Sequence, residues 1–313
     1  MFEIPLIIIF SLALIFFIIE LICFFKTFYS AKQKPLKPGE YRTAPGEIYD
    51  PYRPQMIEWI KDLRSRPYEE FSIVSFDGLP LYGKYYECQK GAPIELMFHG
   101  YRGTAEQDLC GGVQRCFELG HNAFVVDQRG AGKSGGRTIS FGINEHKDCL
   151  RWIDCIIDHF GKDVKIILTG ISMGASTVLM ASELPMPESV KGIVADCGYT
   201  SPKEIITCVA KSMHVPKIFV YPVGFMARIF GKFDYSYSTK QSLAKTNIPV
   251  IFIHGLADDF VPSYMTEQNY DACASRKMMH LVENATHGYS FLVDEEGVKS
   301  ALEKFITENT VKE

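Results

Sequence analysis

The chain carries a serine at Ser172, adjacent acids at Asp258 and Asp259, and a histidine at His287, in that order. A serine hydroxyl is a poor nucleophile near neutral pH. It needs an imidazole to take its proton, and the imidazole needs an acid to orient it and stabilise its cation. Together these groups are equipped for acyl transfer. Ser172 sits in Gly170-Ile171-Ser172-Met173-Gly174, after the apolar run 165–169 and before a helix-like stretch, Ala175 to Glu183. Glycines there relieve the crowding of a strand that must turn into a helix within a few residues. The pentapeptide alone is a weak pattern, and its weight depends on its partners. His254 ends one apolar run and His280 lies inside another, so both read as structural. His287 stands on a loop beside Gly288 and is the candidate base. A tetrahedral intermediate also needs hydrogen-bond donors. The Met173 N–H follows the nucleophile directly. The Tyr101 N–H, in His99-Gly100-Tyr101-Arg102-Gly103, is the candidate second donor of the oxyanion hole, and His99 itself reads as structural. This chemistry calls for no metal and no organic cofactor.

These residues must be held by elements that the sequence also outlines. Phe71–Phe76 and Leu81–Tyr86 flank Asp77-Gly78 and predict a β-hairpin. Short apolar runs follow at Ile94–Phe98, Ala123–Val126, Lys165–Thr169, Gly192–Ala195, Val250–Ile253 and Met278–Val282. Helix-period segments such as Glu145–His159 alternate with them. This rhythm predicts an α/β fold: a mixed, mainly parallel sheet of about eight strands with helices on both faces. Asp258 and His287 then each follow a strand at its carboxyl end, where sites on such sheets assemble. The stretch 198–248 is longer than a crossover requires and rich in aromatics, from Tyr199 to Tyr237. It is expected to be a cap or lid insertion that shapes the substrate pocket.

Residues 1–28 differ in kind. Ile4 to Phe25 is apolar except for Ser11 and Glu20, which is long enough for a transmembrane helix. A cleaved signal peptide would want a basic start and a small-residue cleavage site, and neither is present. Lys26, Lys32, Lys34, Lys37 and Arg42 follow the apolar span, so the positive-inside rule predicts a single-pass cell-membrane protein with its catalytic domain in the cytoplasm. Residues 29–70, with Pro35, Pro38 and Pro45 and a short helix from Pro54 to Ser65, read as a linker, and 71–313 as the catalytic domain.

Composition narrows the partners. A net charge of −4 gives no reason to expect nucleic acid. Nine scattered cysteines lack C-x-x-C pairs and argue against a zinc site or a disulfide framework. Gly130-Ala-Gly132-Lys133-Ser134 resembles the end of a phosphate-binding loop, but Asp127 occupies the position where that loop needs glycine.

The segments HGYRG at 99–103, DQRGAGKS at 127–134, GISMG at 170–174, HGLADDFVP at 254–262 and THG at 286–288 are together similar to the α/β-hydrolase superfamily. They most resemble bacterial serine hydrolases of the serine-aminopeptidase-like and monoglyceride-lipase-like branch. The resemblance implies Ser172 as nucleophile, His287 as base and, from the spacing of Gly255, Asp258 and Val261-Pro262, Asp258 as the acid. With the anchor and the aromatic insertion, it implies a membrane-anchored hydrolase of a lipid-like or acyl ester, a small-molecule substrate. The same site could serve an aminopeptidase, an amidase or an acyltransferase. A tethered, non-catalytic binding module is the alternative of another class.

Overall fold

The structure is a computed structural model that describes residues 3–31, 33–34 and 36–310; residues 1–2, Lys32, Pro35 and 311–313 lie outside the described residues. The apolar runs form strands β1 (Glu69–Val74), β2 (Pro80–Tyr86), β3 (Ile94–Phe98), β4 (Asn122–Asp127), β5 (Ile166–Ile171), β6 (Val190–Asp196), β7 (Val250–Gly255) and β8 (Lys277–Val282). They pair in one sheet in the order β1-β2-β4-β3-β5-β6-β7-β8. β1 and β2 pair antiparallel across the Asp77-Gly78 turn, β2 runs antiparallel to β4, and the remaining neighbours are parallel. This is the α/β-hydrolase sheet, with the expected strand number and mixture of directions.

The first helices in the chain are α1 (Glu3–Phe28), α2 (Arg53–Ser65), α3 (Ala105–Glu118), α4 (Glu145–Phe160) and α5 (Met173–Ala181). The insertion supplies α6 (Pro202–Ser212), α7 (Tyr221–Met226) and α8 (Thr239–Leu243). The chain ends with α9 (Tyr264–Ala272), α10 (Ser290–Val293) and α11 (Glu295–Thr310). Strand alternation sorts the side chains between two faces. Leu96 and Phe98 of β3 and Phe124 and Val126 of β4 pack with Trp152 of α4 and Val178 of α5. Met97 and Val125 point the other way, toward Leu109 and Val113 of α3. α11 covers the far side of that second face through Val298, Leu302 and Phe305.

One charged residue sits inside this core. Glu95 of β3 is 1% exposed and accepts from Arg115 of α3, His121 and Thr169 of β5. Burial raises its carboxyl, but Arg115, His121 and Thr169 outweigh that and hold it at about 2. Arg129 does similar work on the opposite side of the sheet. Its guanidinium bonds to both oxygens of Asp148 on α4 and of Asp77 in the hairpin turn, which joins the DQRG segment to both.

α1 contains an apolar stretch, Pro5–Phe28, of 24 residues; by length and composition it suits a membrane anchor or a signal sequence alike. Its last turns join the domain. Phe24 and Phe28 are buried in the same cluster as Phe141, Met173 and Met226. The stretch after it, read from its prolines as a linker, is bonded along its length. Ser30 N–H donates to Arg137 O at 2.7 Å, Gln33 donates to Arg102 O at 2.9 Å, and Arg53 donates to Ala44 O at 2.9 Å.

Removing Arg115 leaves Glu95 buried without its cation. Arg115→Met is expected to lower unfolding free energy by about 3–5 kcal/mol, read by urea denaturation at neutral pH. The Glu95 carboxyl is depressed on folding, so its contribution is present above its ordinary 4.5 and lost as pH falls toward about 2. The difference between wild type and variant should shrink over that same window.

Candidate active site

β5 has to become α5 at Ser172, and the backbone there leaves the ordinary regions: Ser172 has φ 55° and ψ −115°. Such strain persists only where the surroundings fix it. Here the Ser172 N–H donates to Asp196 O at 2.8 Å, and its own carbonyl accepts from Ser176 N–H at 3.1 Å. The flanking glycines are obligatory. A methyl group on Gly174 would stand 2.0 Å from the Phe98 carbonyl oxygen, and one on Gly170 would stand 2.2 Å from the Gly174 carbonyl carbon.

The loops after β7 and β8 carry Asp258 and His287 to this turn. His287 Nε2 lies 2.9 Å from Ser172 Oγ, and its Nδ1 lies 2.7 Å from Asp258 Oδ2. Asp258 Oδ1 accepts the Phe260 and Val261 N–H groups at 2.9 and 2.8 Å. His254 Nε2 stands 3.2 Å from Asp258 Oδ2, so the carboxylate has a histidine on either side. Burial raises the Asp258 carboxyl, but the hydrogen bonds from His254 and His287 outweigh it and hold the group well below the usual carboxylate range. Asp259 is exposed.

His254 is buried, with Nδ1 at 2.6 Å from Thr266 Oγ1 and Nε2 at 2.9 Å from Val261 O. His280 pairs with Asp294 at 3.2 Å. His99 Nε2 accepts the Gln128 N–H at 3.0 Å and its Nδ1 lies 2.8 Å from Gly100 O. These three rings are satisfied away from Ser172. The Tyr101 and Met173 N–H groups have no acceptor among the described residues. Asp127 takes the N–H groups of Ala105 and Lys133, and a Cβ at Gly132 would meet its carboxylate at 1.9 Å. The 127–134 segment is therefore a turn wrapped on its own carboxylate.

Two neighbours, Cys197 and Tyr49, had no local signal. Cys197, with φ 48°, brings its Sγ within 4.8 Å of the bonding atoms of Asp258 and His287. Burial pushes its thiol well up. Tyr49 Oη donates to the His287 carbonyl at 3.4 Å. Tyr101 Oη donates to Thr27 O at 2.6 Å, and Arg102 donates to Lys26 O and Tyr29 O at 2.6 and 3.0 Å. The carbonyls left open at the end of α1 are thus taken by the loop that presents the Tyr101 amide.

A cavity of about 530 Å³ opens on Ser172 and His287. Its walls are mostly apolar and include Tyr49, Met56, Trp59, Leu109 and Leu292. Gln107, Asp108, Arg115 and Asp196 add polar groups. Burial raises the carboxyls of both Asp108 and Asp196. None of the residues that line this cavity belongs to 198–248. The insertion's rings are engaged elsewhere: Phe219, Phe230 and Phe233 pack against α1. The walls come from 44–59, α3 and 287–292 instead.

The turn at Ser172 can be tested through its glycines. Gly174→Ala has to displace the β3 backbone and is expected to cost about 3 kcal/mol or more in urea denaturation. Gly112→Ala is the control. Its methyl would meet only Met97 Sδ, at 3.9 Å, in the middle of α3, and should add about 0.5–1 kcal/mol of stability.

A family model described as the alpha/beta hydrolase fold matches residues 96–217. Protein bem46 of Schizosaccharomyces pombe is 25% identical over 72% of this chain and 71% of its own length. YqkD of Bacillus subtilis is 25% identical over 60% of this chain, a match that spans 63% of YqkD. Among solved structures, Pyrococcus furiosus esterase Pf2001 aligns at a TM-score of 0.65 with 20% identity, over 87% of this chain and 99% of its own. Mouse alpha/beta hydrolase domain-containing protein 10 aligns at 0.56 with 19% identity, over 77% and 99%. In sheet order, in the family model over residues 96–217 and in structural likeness, this chain has the alpha/beta hydrolase fold.

Proposed function

We propose that the protein is a membrane-anchored serine hydrolase that cleaves carboxylic esters with an apolar acyl group. The observation that carries this reading is the continuous row from Ser172 Oγ through His287 to Asp258, at 2.9 and 2.7 Å. Ser172 Oγ attacks the acyl carbon while His287 Nε2 takes the hydroxyl proton. The negative oxygen is received by the Met173 and Tyr101 N–H groups, which have no other acceptor among the described residues. His287 then gives its proton to the departing alcohol. Water, deprotonated by His287, releases the acid from Ser172 and returns the proton to Oγ. Asp258, ionised far into the acid range, holds the imidazole and balances its cation. The apolar cavity accepts the acyl chain.

The anchor belongs to the same reading. Removal of α1 as a signal sequence would take Phe24 and Phe28 out of a buried cluster, which supports its retention. The cytoplasmic placement and the division into anchor (1–28), connecting segment (29–70) and catalytic unit (71–313) stay part of this proposal; the basic residues after the span support the former. A second reading is favoured by one observation: Asp108 and Asp196 line the cavity, and carboxylates there suit a substrate amine, as an amidase or aminopeptidase would require. Comparison of p-nitrophenyl acyl esters with aminoacyl p-nitroanilides separates the two, with faster ester turnover expected.

Ser172→Ala should abolish fluorophosphonate labelling and lower p-nitrophenyl ester hydrolysis by about 10⁴-fold or more, and retention of wild-type turnover would refute the mechanism. Asp258→Asn should lower kcat by about 10⁴-fold with the fold intact. Trp59→Ala, which enlarges the cavity, should shift the preferred acyl chain toward greater length in a kcat/KM series.

A further inference from the structure

α1 is apolar all round, yet only its first half is free. Side chains from Pro5 to Ile15 are exposed. From Phe16 onward a stripe at helical spacing is covered, and Glu20, Phe24 and Phe28 are 1%, 5% and 0% exposed. The insertion provides the cover. The rings of Phe16 and Phe219 are 6.0 Å apart, Phe24 and Phe230 5.8 Å, and Phe28 and Phe233 5.1 Å. Phe16 and Phe28 are separated by about 18 Å along the helix axis, so the insertion climbs α1 by that much.

This sets a length constraint. The free part of α1, residues 5–15, is about 16 Å long, while a hydrocarbon core is about 30 Å thick. If α1 crosses a bilayer, its second half lies in hydrocarbon too, together with whatever packs on it. The outer side of the insertion suits that environment. Ile218, Tyr221, Phe225 and Ile229, spaced three and four apart, are 50% to 64% exposed, and Met213 is 69% exposed. Residues 205–233 include Lys211, Lys217, Arg228 and Lys232 and no acid. Both carboxylate oxygens of Glu20 lack a hydrogen bond among the described residues, and the insertion shields them from lipid.

We propose that the insertion is a second membrane-embedded element: residues 218–230 sit in one lipid leaflet alongside α1, with Lys232, next to Phe233 at the level of Phe28, among anionic headgroups. The proposal rests on the anchor reading of α1. It assigns the insertion a lipid partner.

The test uses the full-length protein in vesicles of phosphatidylcholine and phosphatidylglycerol. Photoreactive p-benzoylphenylalanine replaces Ile218, Phe225 or Ile229 one at a time. Leu12 on α1 and the exposed Glu188, in the loop before β6, serve as references. Lipid adducts are expected at 12, 218, 225 and 229, and none above background at 188. Adducts at 12 without any at the three insertion positions would overturn the proposal and leave the anchor standing. Adducts from the insertion only to a second copy of the chain would overturn it in favour of a protein interface. Failure at 12 as well would remove the anchor reading, and the proposal with it.

Discussion

The whole site depends on how closely α5 approaches β3. At Gly174 the helix backbone rests against the carbonyl oxygen of Phe98, at a separation that leaves no room for a side-chain carbon. That contact fixes the angle at which the chain leaves β5, and so holds Ser172 at a positive φ with its hydroxyl toward His287. It also brings the start of α5 beside the 99–103 loop that leaves β3, because a Cβ at Gly174 would stand 2.8 Å from the His99 carbonyl oxygen. A looser approach would accept alanine but would let the turn relax toward ordinary helix geometry.

Beneath that contact, buried charge holds the strands in register. Glu95 lies on β3 among apolar neighbours and collects partners from α3, from the start of β4 and from β5. Asp258 is treated in the same way one level up, with two histidines and two backbone amides on one carboxylate. The two cases share a rule. A carboxylate can be kept in the interior when every lone pair is met, and it then orients the groups that meet it.

Much of the fold was legible because its signals are local. Ile94–Phe98 is a strand with the bounds its apolar run suggests, and the Asp77-Gly78 turn gives the hairpin. The positions of Ser172, Asp258 and His287 after successive strands could also be read, since each lies at a break in an apolar pattern. What escaped was contact between distant segments. The prolines of residues 36–46 describe backbone stiffness and say nothing of where it docks, so the contribution of 44–59 to the cavity wall had no sequence signature. The aromatics of 198–248 divide between two surroundings that sequence does not distinguish: Phe219, Phe230 and Phe233 meet α1, while Tyr221 and Phe225 face outward. Cys197 beside Asp258 and His287 follows from the adjacency of β6 and β7 in the sheet.

The bonds from Tyr101 and Arg102 to the end of α1 bear on how the protein can be handled. A chain begun after Phe28 to gain solubility would take away two of the carbonyls those side chains bond to and strip two aromatic rings from the cluster that contains Met173. The 99–103 loop would then be free to sample other backbone directions, and the amide at Tyr101 with it. A soluble fragment could therefore fold, keep its serine, histidine and aspartate aligned, and still be a poor catalyst. Weak turnover by such a fragment would reflect a missing brace and would say little about the substrate.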